Sequence, residues 1–283
     1  MRSKDKGPGK NSHKKLSPDR GRSKNIQKDK NTTIKSFGMP VNEPVRLNRY
    51  IAKSGVCSRR EADELIAQGQ ISVNGKVVTE LGTKVMASDQ ILFKGKALSP
   101  ESLVYVLLNK PKDFITTTKD PFERKTVMHL VEKASEERLY PVGRLDRNTT
   151  GLLLFTNDGE LADHLSHPSG QVKKIYQVDL DKAISPEHAQ TIKEGIELED
   201  GLAEVDDIQI LSADKKIVAV ELHIGKNRIV RRIFEHLGYD VIRLDRVMYA
   251  GLTKKDLPRG KWRYLAEKEV IRLKYLKRGQ AKK

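Results

Sequence analysis

The chain has 283 residues, enough for two ordinary domains, and its 37% hydrophobic content allows a core but not one that includes every segment. A net charge of +16 points to a polyanionic partner, most simply nucleic acid. The single cysteine, Cys57, excludes an intrachain disulfide, and no apolar run approaches the roughly 18 residues of a bilayer span, so a soluble cytoplasmic protein is expected.

Residues 1–44 read as a disordered basic tail. The first forty carry nine Lys and three Arg against three Asp. Such a segment buries too little surface to offset its conformational entropy, and it suits an electrostatic arm on RNA. A compact module follows over 45–98. Arg46 to Ser54 carries Leu47, Tyr50 and Ile51 at helical spacing, with Gly55 as C-cap. Ser58-Arg59-Arg60-Glu61 is a capping-box pattern opening a second helix that ends at Gly69. Asn74-Gly75, flanked by alternating residues, signals a hairpin, and 90–93 closes the unit as a strand. Arg46, Arg49, Lys53, Arg59 and Arg60 lie on or beside the two helices and suit a phosphate backbone.

Leu98 to Ser102 reads as a linker. A second domain, 103–275, opens with the buried-strand run Leu103 to Leu108, which Asn109-Lys110-Pro111 is expected to break. A short helix is expected over 126–131. The stretch Gly143-Arg144-Leu145-Asp146-Arg147-Asn148-Thr149-Thr150-Gly151 then leads into the apolar strand Leu152 to Phe155, which places Asp146 on a turn held by a rigid element. Taken alone, Asp146 fits a surface turn residue paired with a neighbouring arginine as well as a reactive group.

Asn157 or Asp158 caps the next helix. His164 and His167 lack a third ligand and read as RNA-facing or structural. Lys173 to Leu180 alternates as a half-buried strand whose Tyr176 fits a core position, a base-stacking role or proton transfer. A helix over 185–195 opens with Pro186 at its first position, and strands follow at 196–198, 203–211 and 216–224. This order is antiparallel in style. Gly225 to Gly238 reads as an amphipathic helix, Asn227 at its N-cap and Gly238 at its C-cap, with Arg228, Arg231 and Arg232 sharing one face. Val241 to Arg246 repeats an Arg-Leu-Asp-Arg string inside a strand pattern and reads as structural or RNA-contacting. Trp262, Arg263 and Leu265 end the folded part, and 276–283 is a second basic tail.

Two resemblances rest on these residues. Arg46 to Ile51, Ser58 to Ala62 and Ile71 to Gly75 resemble the alpha-L RNA-binding module of a ribosomal small-subunit protein and several RNA-modifying enzymes. Gly143-Arg144-Leu145-Asp146, Thr150 to Leu154, Thr156-Asn157-Asp158-Gly159, Lys174-Ile175-Tyr176 and Gly225-Lys226-Asn227-Arg228-x-Val230-Arg231-Arg232, in this order, resemble the pseudouridine synthases that modify ribosomal RNA. The resemblance implies an α+β fold: a small helix-hairpin RNA-binding module, then a catalytic domain with a mainly antiparallel central sheet flanked by helices. It implies no metal and no organic cofactor.

By the same resemblance Asp146 is the catalytic carboxylate. Tyr176 stacks on the flipped uracil, and Arg231 pairs with the carboxylate. Arg144 fills the gap left by the base. Arg147, Lys226, Arg228, Arg232, Arg46, Arg49, Arg59 and Arg60 are expected to contact RNA. Two positions depart from the family pattern, Ile229 where Gln is usual and Asp113 where Gly is usual. The expected substrate is large-subunit ribosomal RNA, free or in a precursor particle, acted on by a monomer. The alternatives are a non-catalytic ribosome-assembly factor, or the same chemistry on small-subunit ribosomal RNA or transfer RNA.

Overall fold

In the computed structural model of this chain, residues 43–167 and 170–276 are described. The two expected basic tails lie outside them, apart from residues 43, 44 and 276.

The N-terminal module contains β1 (Val45–Arg46), α1 (Leu47–Lys53), α2 (Arg59–Ala67), β2 (Ile71–Val73), β3 (Lys76–Val77), β4 (Lys84–Val85), β5 (Ile91–Phe93) and β6 (Lys96–Ala97). The capping box forms as its sequence indicates. Ser58 Oγ accepts from the Glu61 amide at 3.3 Å, and the Glu61 carboxylate accepts from the Ser58 amide at 2.8 Å. Asn74 and Gly75 both take positive φ, as a type I′ hairpin requires. Lys94 and Gly95 do the same and add β6, so β5 does not close the unit. Leu47, Ile51, Ile66, Ile71 and Ile91 form a small separate core.

The second domain contains β7 (Tyr105–Lys110), α3 (Met128–Val131), β8 (Tyr140–Pro141), β9 (Thr150–Thr156), α4 (Gly159–Ser166), β10 (Lys174–Leu180), α5 (Pro186–Glu194), β11 (Ile196–Leu198), β12 (Gly201–Ala203), β13 (Asp207–Ile210) and β14 (Ile217–Leu222). It continues with α6 (Ile229–His236), β15 (Val241–Tyr249), β16 (Leu252–Thr253), β17 (Trp262–Tyr264) and α7 (Glu267–Lys274). Among the described residues its central sheet has nine strands in the order β13-β14-β10-β15-β9-β7-β17, with β16 and β8 on the edges of β15 and β9.

Every pairing in that sheet is antiparallel except β9–β15, where Asp245 faces Thr150 and Arg246 faces Gly151. A Cβ on Gly151 would stand 2.3 Å from the Arg246 carbonyl, and Gly151 has φ +108°. Only glycine allows this approach. Core clusters lie on both sides of the sheet, one of them against α5 and α6.

Several expectations are corrected. β7 runs on through Asn109 and Lys110 rather than breaking there, because the buried Lys110 ammonium finds carbonyl partners. The expected strand 203–211 is two strands, since β12 ends its hairpin with β11 at Ala203 and β13 pairs with β14. The fold does not end at Leu265. Helix α7 follows and buries Val270 and Leu273.

Candidate active site

The loop between β8 and β9 carries Asp146. Gly143 starts it with φ +73°. Leu145 is buried, and its backbone is held from both sides by the Thr116 hydroxyl, which donates to the carbonyl at 2.7 Å and accepts from the amide at 3.3 Å. From below, Lys110 Nζ donates to the carbonyls of Asp146 (3.0 Å), Arg147 (3.2 Å) and Thr149 (2.8 Å). Lys110 is fully buried, and burial pulls its pKa down to about 8 although Asp146 and Asp113 oppose this. Buried Leu145 and the clamped carbonyls fix the backbone. Asp146 is left half-buried, while Arg144 and Arg147 are exposed.

Asp146 lies on the wall of a cavity of about 570 Å³ that Arg144, Tyr176, Lys226 and Arg228 also line. Tyr176 comes from β10. Directly across the strand pair is Arg246 of β15, whose Nε donates to the Leu152 carbonyl at 2.8 Å and whose guanidinium lies 4.5 Å over the Tyr249 ring. Lys174, two residues before Tyr176 and also in the wall, is pulled down to about 8 by burial and by Arg246. It donates to the carbonyls of His223 and Ile224 and so ties the start of the Gly225-Lys226-Asn227 turn to β10. Burial and nearby Tyr176 push the Tyr249 hydroxyl up to about 12, against the effect of Arg246.

The N-cap of α6 is Arg228, not Asn227, in left-handed backbone (φ 45°), so Arg228 stands just before the helix and Arg231 and Arg232 within it. Arg228 pairs with Glu235 at 3.2 Å, and Arg232 grips Asp200 with two bonds of 2.6 and 3.0 Å. Lys226 donates to the carbonyls of Asp200, Gly201 and Leu202, so it pins the β11–β12 turn beside the cavity. Arg231 donates to the Val241 carbonyl at 2.8 Å. Among the described residues no ion pair within 4.0 Å joins it to Asp146, yet the two charges interact. Burial and Arg228 lower the Arg231 pKa, and Asp146 raises it. The C-terminus closes as a Schellman motif, with Gly238 bonded to Glu235 and Tyr239 to Phe234.

On the N-terminal module Arg46, Arg59 and Arg60 are exposed, as RNA contact requires. Arg49 and Lys53 instead both reach Glu160 of α4 at 2.9 Å. Arg147 lies outside the cavity and pairs with Asp113 at 3.4 Å. His164 bonds the Leu276 carbonyl at 2.8 Å, and His167 lines the cavity.

The two family departures have local reasons. Ile229 is buried and packs with the core under α6. Asp113 has φ +70°, a conformation in which glycine is unstrained and aspartate is tolerated, and its amide bonds the Arg147 carbonyl at 2.9 Å. It therefore supports the Asp146 loop directly.

Sequence reasoning missed Lys110, Thr149, Lys174 and Arg246 as parts of the site. Lys110 follows directly on the apolar run Leu103 to Leu108, Thr149 lies in the Gly143 to Gly151 stretch and Lys174 in the Lys174-Ile175-Tyr176 motif, and those positions were the signals available.

A family model described as RNA pseudouridylate synthase matches residues 104–236, and the S4 domain model matches residues 45–91. The chain is 46% identical over 236 residues to the ribosomal large subunit pseudouridine synthase B of Bacillus subtilis, covering 82% of this chain and 96% of that protein. It is 35% identical to a dual-specificity RNA pseudouridine synthase of Escherichia coli, covering 81% of this chain and 78% of that protein. A crystal structure of a pseudouridylate synthase superposes with TM-score 0.58 at 27% identity, covering 81% of this chain and 99% of that one.

Proposed function

The chain belongs to the RNA pseudouridylate synthase family and is an isomerase, and from that premise we propose that it converts a uridine of large-subunit ribosomal RNA to pseudouridine at the cavity around Asp146. One observation carries the reading. A half-buried carboxylate, its backbone clamped by Lys110, lines the same cavity as Tyr176 of β10.

The reaction breaks the bond from ribose C1′ to uracil N1, turns the base and joins C1′ to C5. The proton on C5 leaves and N1 gains one, so product and substrate have the same atoms. The base has to leave the stack to reach the cavity. Asp146 either adds covalently to the sugar or the base, or removes a sugar proton. Arg231 lies within electrostatic reach of that carboxylate. Tyr176 stacks on the uracil and assists the proton transfer at C5. Arg144, exposed at the cavity mouth, occupies the gap left by the base. Arg46, Arg59, Arg60 and the basic N-terminal segment hold the phosphate backbone, and the binding is salt-sensitive.

Large-subunit RNA is favoured by the name of the Bacillus relative, and the Escherichia relative keeps a second RNA class as the alternative. The test is tritium release from ribosomal RNA labelled at uracil C5. Wild type releases tritium and Asp146→Ala does not; equal release by both overturns the assignment of Asp146. Mapping pseudouridines in a deletion strain identifies the RNA.

A further inference from the structure

Among the described residues three buried side-chain polar atoms have no hydrogen-bond partner: Asn48 Oδ1, Thr149 Oγ1 and Arg246 Nη2. The last two line the cavity that Asp146 lines, with residue exposures of 2% and 3%. Thr149 immediately precedes β9, and Arg246 faces Gly151 across the parallel junction, so the two sit on neighbouring strands. Arg246 is held by the Leu152 carbonyl and the Tyr249 ring, and among the described residues no carboxylate pairs with it.

A buried polar atom left without a partner costs about 1–3 kcal/mol, and more if it is charged. Such a group persists in a fold where something outside the free protein completes it. A guanidinium offers only donors, and a hydroxyl can donate, so the completing atom is an acceptor. Because Arg246 lies directly across from Tyr176, that acceptor sits beside the base stacked there.

We propose that Thr149 Oγ1 and Arg246 Nη2 together receive one oxygen of the target nucleotide, a carbonyl of the flipped uracil or a non-bridging oxygen of its phosphate. The inference rests on the pseudouridine-forming reading above. The pair positions the nucleotide against Asp146 and takes no part in bond making.

The test uses full-length Thr149→Val and Arg246→Lys with a synthetic RNA spanning the mapped uridine, in single-turnover assays beside wild type and Asp146→Ala. Thr149→Val removes a hydroxyl that bonds nothing in the free protein, so its melting temperature holds or rises. The single-turnover rate of each variant drops about ten-fold or more, as for loss of a buried bond to a charged or polar partner. Thio substitution at a uracil carbonyl and a neutral methylphosphonate at the adjoining linkage separate the two oxygens. The change that removes the received oxygen slows wild type and leaves the variants no slower.

Wild-type rates in both variants overturn the proposal. So does a fall in stability that fully accounts for the lost rate, or equal slowing of wild type and variants by every modified RNA. A wild type that forms no pseudouridine overturns the underlying reading instead.

Discussion

Lys110 Nζ donates to the backbone carbonyl of Asp146 at 3.0 Å from a position with no solvent exposure. The lysine acts on the loop rather than on the carboxylate. It also bonds the Arg147 and Thr149 carbonyls, so one ammonium orders the turn that carries the proposed catalytic group. Lys110→Met keeps the side-chain volume and leaves those carbonyls without their donor. The expected loss is about 1–3 kcal/mol in urea unfolding, with turnover falling about ten-fold or more through a loosened loop. Wild-type turnover in a folded variant would show that the clamp is dispensable.

Gly151→Ala tests the β9–β15 junction. The added methyl meets the Arg246 carbonyl at 2.3 Å and the Arg246 nitrogen at 2.6 Å, at a backbone φ of +108°. Backbone cannot yield as a flexible side chain does. The expected cost is at least about 3 kcal/mol, read from thermal or denaturant unfolding.

Asp245 links pH to stability. Burial alone would raise its pKa, but Arg259, Lys254 and Thr150 bond the carboxylate and hold it at about 2, below the ordinary 3.8. A depressed acid stabilises the fold above its unfolded pKa, and that contribution is lost as pH falls through the folded value. The window is therefore pH 3.8 to about 2. Asp245→Asn is expected to cost about 2 kcal/mol at neutral pH and to flatten the stability profile within that window. An unchanged acid limb in denaturant melts taken at several pH values would contradict this.

Arg231→Ala separates chemistry from affinity. The guanidinium is tied to the Val241 carbonyl and feels the Asp146 charge. Its removal leaves Asp146 without that cation, and turnover is expected to fall about 100-fold. RNA affinity, measured by filter binding, stays within a few-fold. A variant that binds poorly but turns over normally would assign Arg231 to RNA contact.

Glu160→Gln addresses the N-terminal module. Arg49 and Lys53 both bridge to this exposed carboxylate. Releasing two cations should strengthen RNA binding about two- to ten-fold at low salt and steepen its salt dependence. Stability should change by less than about 1 kcal/mol, as for exposed ion pairs. An unchanged salt slope would mean that Arg49 and Lys53 do not reach RNA.

Short-range chemistry was legible without coordinates. The Ser58 capping box, the Asn74-Gly75 turn, the Ser185-Pro186 helix start and the Gly143 turn all act through neighbours within a few residues. The entry to α6 misled because Asn227 has a side chain suited to an N-cap, yet the N-cap is Arg228 in left-handed backbone.

By itself, then, the sequence determined the local elements, the order of the two modules and, through the order of its motifs, the chemistry expected at Asp146. Only the tertiary structure decided which polar groups meet in the cavity. Arg246 read as structural or RNA-contacting and not as part of the site, yet it is buried against the carbonyl of a residue 94 positions away and faces Tyr176 across the sheet. Lys110 looked like a strand breaker, yet it reaches carbonyls 36 to 39 residues on. Burial and strand register are properties of distant pairs. A side chain's partners are set by which strands the fold brings side by side, and local spacing carries no record of that.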